Sequence, residues 1–214
     1  MTDPEVIAVE IAEALNKGYD IPFRRRMAES VIQVRATILK QQYDRDGRFP
    51  SGTEDSITLP MKDVPTSECL NEDIECEVFR TIDKIPRPIR KNRTTIPFAF
   101  VGSSNSEVSF IHIRPEEVRS FLEGNKFIKD SPLFAYYNDY IYTFNHSSSK
   151  ITIRDVFADP RELLVLKGCD GNPCKSNVDI DEDMKRLIKM MIFEEIRQFN
   201  RPPEDKTIKI NEQA

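Results

Sequence analysis

The side chains best suited to metal or redox chemistry in this sequence are four cysteines, which form two pairs. Six residues separate Cys69 from Cys76, and four separate Cys169 from Cys174. Structural zinc sites use closely spaced pairs, so only the second pair has a zinc-like spacing. A disulfide between Cys169 and Cys174 is sterically feasible, although so short a loop would gain little stability. The spacing favours free thiols in a reducing compartment and predicts no metal site.

The two histidines, His112 and His146, are the side chains that could exchange protons near neutral pH. His112 lies between two isoleucines in an alternating run, which is typical of a histidine on the face of a sheet. His146 has no carboxylate at a motif spacing. The acidic run 179–183 lacks the glycine and the distal glutamate of a calcium-binding loop, and helix capping accounts for it.

Motifs for nucleotide binding and hydrolysis are missing from the sequence. Its seven glycines include no glycine-rich loop placed after a strand. The run Gly102-Ser103-Ser104 resembles a nucleophile turn, but neither serine is followed two residues later by a glycine. We therefore predict no catalytic residues, no cofactor and no enzymatic activity.

Two basic segments are the main candidates for binding. Arg24, Arg25 and Arg26 begin a predicted helix, where positive charge is mildly unfavourable, so an acidic partner could compensate; a solvated helix face is the simpler interpretation. The second segment, 84–93, contains two prolines and is expected to be a rigid, exposed connector. Its cations are Lys84, Arg87, Arg90, Lys91 and Arg93. Because the formal charge is −5, we expect these cations to contact an acidic protein neighbour at a subunit interface rather than DNA.

An aromatic run dominates the stretch 133–163, which is predicted to be an antiparallel meander. Alternating residues over 140–144 and 150–157 indicate half-buried strands, joined by turns rich in Asn and Ser. The aromatic side chains could stack on bases or sugars, but packing within a sheet explains them more simply. Pro160 then ends the sheet.

Helices are predicted at both ends of the chain. The first is capped by Asp3 and runs to about Lys17, where Gly18 stops it, and the second is opened by Pro22 and runs over 23–43. On helical wheels Arg35 and Glu195 fall within apolar arcs. We therefore expect the second and last helices to pack together, with these charges paired or facing a neighbouring subunit.

The predicted fold class is α+β, with an N-terminal helical pair and a long C-terminal helix packed with a mostly antiparallel β-domain. The predicted segments are a helical pair at 1–45, an extended loop at 46–73 with at most one short strand at 56–59, a β-domain at 74–178 with an inserted helix at 115–123, a helix at 179–200 packing on the N-terminal helices, and a tail at 201–214. Within the β-domain we expect a first strand at 74–82 and a hairpin of 96–101 with 107–113.

The tail carries a short alternating run that ends in Ile208 and Ile210. Four residues cannot form a stable strand alone, so we expect these isoleucines to add to a sheet edge of another subunit. A disordered end is the competing interpretation. No run of 18 apolar residues occurs, and the first residues lack a secretory pattern, so we expect no membrane span and a cytosolic site of synthesis.

These features together resemble the head–tail adaptor or ring proteins of short-tailed phages. The resemblance rests on the two N-terminal helices, the basic proline connector, and the meander YYNDYIYTFN…KITIRDVFADPREL; it covers most of residues 1–200 and is strongest over 138–163. Tail tubular protein A-like proteins share it, and the ring proteins of crAss-like gut phages are more similar. The resemblance implies a structural virion protein, assembled in the host cytoplasm, with about twelve copies around the DNA channel of the head–tail connector. Implied partners are the portal, other tail proteins and nearby genomic DNA.

The alternative left open by the residues is a cytosolic nucleic-acid-binding or regulatory module. Such a module would use the basic segments 24–26 and 84–93, and its affinity for DNA would depend strongly on salt.

Overall fold

The computed structural model describes residues 3–64, 78–89, 97–124, 131–166 and 180–199. The chain divides into two compact units. The helical unit comprises residues 2–34 and 180–214, and the sheet unit comprises residues 35–179. The elements are α1 (Pro4–Ala14), α2 (Ile21–Asp46), β1 (Asp55–Asp63), β2 (Val78–Thr81), β3 (Phe100–Ser103), β4 (Ile111–His112), a 3-10 turn (Pro115–Glu117), α3 (Val118–Gly124), β5 (Leu133–Tyr137), β6 (Tyr140–Phe144), β7 (Lys150–Asp155), α4 (Arg161–Leu166) and α5 (Glu182–Phe199).

Each long helix begins with an aspartate cap. The side chains of Asp3, Asp20 and Asp181 accept hydrogen bonds from the backbone N–H groups of Glu5, Phe23 and Met184, at 2.9, 2.9 and 2.7 Å. These bonds satisfy amide groups that a helix leaves without partners in its first turn. The predicted starts are therefore close to the observed ones.

The end of α1 differs from the prediction, which placed it at Lys17 before Gly18. The helix ends at Ala14, and Asn16 adopts a left-handed φ of 57°. The N–H of Lys17 donates to the carbonyl of Ala12 at 2.7 Å. This bond is the helix-ending pattern that a left-handed residue allows, so asparagine takes the role assigned to the glycine.

In the helical unit an ion pair joins α1 to α5. Glu10 accepts from Lys185, with Nζ and Oε1 3.1 Å apart, and also from Lys189. The two lysines are one helical turn apart, so one carboxylate can bridge both. The hydrogen bond from Lys189, with the positive charge of both lysines, holds the pKa of Glu10 below its ordinary value even though burial opposes this.

The sheet unit contains one seven-stranded sheet, in the order β3-β7-β1-β2-β6-β5-β4. All neighbouring strands are antiparallel except β4 and β5, which are parallel. The predicted α+β class with a mostly antiparallel sheet is therefore confirmed. The turn between β5 and β6 has positive φ at Asn138 and Asp139, as a two-residue hairpin requires.

The short strand predicted at 56–59 within the extended loop 46–73 lies inside β1, but the prediction of at most a short strand there is wrong, because β1 spans Asp55–Asp63. This nine-residue strand lies inside the sheet, pairing with β7 through 55–60 and with β2 through 61–63. Its buried residues Ile57, Leu59 and Met61 alternate straight through Pro60. Pro60 has no N–H to donate. Its carbonyl accepts from the N–H of Ile82, one residue beyond β2, so Pro60 lies at the end of the β1–β2 ladder, where a missing donor is tolerated.

The hairpin predicted from 96–101 and 107–113 forms only in part. Residues 108–110 bond to β3: Val108 accepts from Ser103 at 2.9 Å, and Phe110 donates to Val101 at 2.8 Å. The chain then leaves β3, and β4 pairs with β5 at the opposite end of the sheet order. The two outer strands are therefore bridged by one short segment, and the sheet curls almost into a barrel.

Buried side chains form clusters on both faces of this curled sheet. One contains Ile57, Leu59, Met61, Ile85, Phe98, Val101, Phe110, Phe134, Ile141, Ile151, Ile153, Phe157 and Leu163. The other contains Val64, Val78, Ile113, Val118, Leu133, Ala135, Tyr142 and Phe144, and Phe121 of α3 packs against it. The aromatic run of the meander therefore serves mainly as core, as the sequence indicates.

Candidate functional site

The loop between α1 and α2 presents an aromatic side chain on an ordered corner. Tyr19 is fully exposed, and Ile21 is 54% exposed. The backbone of the corner is fixed on both sides: Asn16 donates to Glu13 at 3.0 Å, and Asp20 donates to Lys17 at 3.0 Å. Exposed aromatic and aliphatic side chains on a hydrogen-bonded backbone are suited to contact with another protein.

The three consecutive arginines do not act as one cluster. Arg24 and Arg25 line a shallow groove together with Glu5, beside apolar residues of α1. Arg26 instead lies against the ring of Phe23, with its guanidinium carbon 5.8 Å from the ring centroid, and Nζ of Lys17 lies 4.7 Å from the same centroid. We call Lys17, Tyr19, Ile21, Arg24 and Arg25 the corner surface.

A second groove in the helical unit lies between the end of α1 and the last turns of α5. Its apolar lining includes Met190, whose side chain is 57% exposed. The lining residues are Ala14, Leu15, Met190, Phe193, Glu194, Ile196, Arg197 and Gln198. We call this the α5 groove. Exposed apolar side chains rimmed by charged ones are typical of protein contact sites.

The α5 groove and the corner surface lie on different sides of α1. Val9 and Glu13 line the groove beside Tyr19, and Ala14 and Leu15 line the α5 groove. At about 100° per residue around a helix, these two pairs point roughly half a turn apart. The helical unit therefore offers two distinct surfaces.

The basic connector is attached to the sheet unit over its described part, residues 84–89. Ile85 and Ile89 are buried, and their N–H groups donate to the carbonyls of Asp139 and Val156 at 2.7 and 2.9 Å. Lys84 and Arg87 are exposed. This part of the connector lies outside the named strands, as predicted, but it is not exposed throughout, because Ile85, Pro86 and Ile89 are buried. Arg90, Lys91 and Arg93 lie outside the described residues.

Near this connector, cations and tyrosines from neighbouring strands lie together. The guanidinium carbon of Arg80 is 4.7 Å from the ring centroid of Tyr140, and Nζ of Lys84 is 5.9 Å from it. Arg80 also donates to the hydroxyl of Tyr142 at 3.5 Å, and Lys62 is its partner in the β1–β2 register. The Tyr140 ring therefore already carries a cation of this chain, which leaves it less suited to stacking on a base.

Arg35 is almost fully buried in the sheet unit, and its Nη1 donates to the carbonyl of Phe157 at 3.4 Å. Sequence reasoning identified the unusual charge but not this backbone partner, which is 122 residues away. Glu195, its predicted counterpart, is exposed on α5. Burying an arginine requires partners of this kind, because an unbonded buried charge is costly.

His112 lies in β4, the sheet environment that the sequence indicates, whereas His146 lies after the end of β6 and outside the strands. The ring centroid of His112 is 5.1 Å from that of Phe134, and the ring of His146 is 4.7 Å from that of Phe110. Burial lowers the pKa of His112. Within the described ranges no cluster of three His, Cys, Asp or Glu side chains is suited to a metal, and no helix is long and apolar enough to cross a membrane. The four cysteines and the tail residues Ile208 and Ile210 lie outside those ranges.

Sequence reasoning missed Tyr19 and the α5 groove. Tyr19 follows a predicted helix end and carries no motif, although an aromatic residue between Gly18 and Asp20 is a usable signal. The groove combines residues from both ends of the chain, so no local pattern could reveal it.

A family model described as phage tail ring protein 2 matches residues 10–214. A search of curated proteins found no match. A ring protein family implies a structural component of the virion that assembles with further tail proteins. Because the match covers nearly the whole sequence, the chain belongs to the phage tail ring protein 2 family.

Proposed function

We propose that this chain forms one ring of the head–tail connector of a short-tailed phage, with about twelve copies surrounding the path of the DNA. The observation that carries the proposal is the family match over residues 10–214. The portal and other tail proteins are its proposed neighbours, and genomic DNA passes nearby without specific recognition.

One feature of the sheet unit supports a structural role. Segment 108–110 bonds to β3 and leads directly into β4, so it links the two ends of the sheet order. Outer strands joined in this way present few free backbone groups, which limits uncontrolled pairing between copies in a crowded ring. Assembly then depends on side-chain surfaces rather than on exposed strands.

The connector offers one such surface. Lys84 and Arg87 project from a backbone that is already fixed by the bonds of Ile85 and Ile89, and Arg87 itself accepts from Ala158 at 2.9 Å. Contacts made from an ordered backbone lose little conformational entropy on binding. We propose that these cations, with Arg90, Lys91 and Arg93, contact an acidic surface of a neighbouring subunit.

The nucleic-acid-binding alternative has one observation in its favour, the grouping of Arg80, Lys84 and Tyr140. Against it, the tyrosine ring is occupied by Arg80, and the chain carries a formal charge of −5. A DNA-binding module would show affinity that falls steeply with salt. The geometry therefore favours a protein partner.

The experiment is a measurement of copy number in isolated phage particles, by quantitative mass spectrometry against the portal protein. We expect several copies per particle in a fixed ratio to the portal. The double variant Lys84→Glu and Arg87→Glu should reduce incorporation, whereas Arg119→Glu, a change of the same sign on the exposed face of α3, should not. Absence of the wild-type chain from washed particles would refute the proposed function.

A further inference from the structure

We propose that Tyr19 and Ile21 of one copy of this chain dock into the α5 groove of the adjacent copy. The occupant is thus a second copy, and the contact is directional. This inference rests on the proposed ring function and specifies which surfaces of the helical unit would join the subunits.

Tyr19 is the side chain that would enter the adjacent copy. Its side chain is fully exposed, yet the backbone around it is held by the cap of Asp20 and by the bond from Lys17 to Ala12. A tyrosine presented in this way offers a large contact area at little entropic cost, and tyrosine and arginine are enriched among residues that dominate binding energy. Arg24 lines the same groove as Tyr19.

The surface that would receive Tyr19 and Ile21 is the α5 groove. The α5 groove is lined by apolar side chains from two helices, and the exposed Met190 stands beside Phe193 and Ile196. Methionine adapts its shape to a ring inserted next to it and makes favourable sulfur–aromatic contacts. The groove therefore has the chemistry to accept a tyrosine ring and an isoleucine.

Charges of both signs line the two grooves. Glu13 and Arg24 line the groove beside Tyr19, and Glu194 and Arg197 line the α5 groove. Placing the corner surface of one copy on the groove of the next can set Arg24 against Glu194 and Glu13 against Arg197, and such paired opposite charges fix the orientation of the contact.

The two surfaces are placed as a ring contact requires. A two-fold dimer uses the same patch on both partners, whereas a ring needs two different patches that face different directions. The groove beside Tyr19 and the α5 groove lie on opposite sides of α1, as the α1 residues that line them show. A head-to-tail contact between them can repeat from copy to copy.

The test places the photo-cross-linking residue p-benzoylphenylalanine at position 19 of the full chain. Tails are assembled from a mixture of this chain and wild-type chain labelled with nitrogen-15, so that cross-links between copies are distinguished by mass. We expect cross-links from position 19 to the labelled peptide that contains Met190 and Ile196. Cross-links to the sheet unit, to another tail protein, to the chain's own peptides or to residues 201–214 of either copy would overturn the proposal.

Variants give a second readout. Tyr19→Ala should reduce incorporation into tails by roughly tenfold or more, as loss of a central aromatic contact does. Tyr137→Ala, which removes a tyrosine that is 46% exposed on the sheet unit, is the matched control and should incorporate like the wild type. Equal incorporation of both variants would refute the docking contact while leaving the ring function standing. Absence of the wild-type chain from tails would refute the ring function itself.

Discussion

The closure of the sheet through segment 108–110 can be tested by adding one methyl group at Gly102. An added Cβ would lie 2.2 Å from the carbonyl oxygen of Val108 and 2.5 Å from Cζ of Phe100. The first neighbour is backbone and cannot rotate away. The substitution Gly102→Ala must therefore push β3 away from the segment 108–110.

The expected cost follows from what that displacement breaks. Two backbone hydrogen bonds join β3 to the segment, from Ser103 to Val108 and from Phe110 to Val101, and each contributes about 1 kcal/mol. Overpacking against the ring of Phe100 adds about 1–2 kcal/mol. We expect the free energy of unfolding to fall by about 2–4 kcal/mol and the melting temperature by roughly 5–15 °C.

The assay is urea denaturation of the purified chain, together with amide hydrogen exchange at Ser103 and Phe110. Gly18→Ala is the matched control, because its added Cβ would lie 3.1 Å from the Cγ of Glu13, a flexible side chain, and at an ordinary contact distance of 3.8 Å from the Cα of Glu13. Gly47→Ala would meet no atom but has a φ of 71°, so it reports the cost of a left-handed alanine, about 1–2 kcal/mol. A Gly102→Ala chain as stable as the Gly18→Ala chain, with unchanged exchange, would refute the closure.

Three further predictions concern the buried and paired charges. Glu10→Gln should lower the free energy of unfolding at pH 7 by about 0.5–1 kcal/mol, a small amount because the pair with Lys189 is partly exposed. As the pH falls below about 4.5, the lowered pKa of Glu10 no longer favours folding, so the wild type should lose more stability than the variant. His112→Phe should flatten the decline in stability as the pH falls below about 6.5, because the lowered pKa of His112 means that acid protonates the unfolded chain first. Arg35→Ala should lower the free energy of unfolding, measured by urea denaturation, by about 2–4 kcal/mol, because it leaves a void and removes the hydrogen bond to the Phe157 carbonyl. A decrease of less than about 0.5 kcal/mol would contradict the structural role of Arg35.

Much of the fold could be predicted because its signals are local. Asp3 and the acidic run 179–183 indicated the starts of α1 and α5, and Pro22 indicated that of α2. The aromatic run and the alternation over 140–144 and 150–157 indicated the meander of β5, β6 and β7. The strand predicted at 56–59 stopped before Pro60, although the alternation of Ile57, Leu59 and Met61 continues through it. Only the pairing with two partners shows that this proline falls where a ladder ends.

The candidate contact surfaces could be predicted only in part. Runs of charge such as Arg24–Arg26 are visible in a sequence. Helix geometry decides that Arg24 and Arg25 line a groove while Arg26 lies against the Phe23 ring. The α5 groove joins Leu15 to residues more than 170 positions later, so its existence depends on tertiary packing. Closure of the sheet through 108–110 is likewise a long-range property.

Electron cryo-microscopy of isolated particles would show whether this chain builds a ring in the phage tail. We expect density for the helical and sheet units repeated about the tail axis as a closed ring of about twelve copies around the DNA path. A single copy, an off-axis position, or density that joins the copies through a two-fold contact would contradict it.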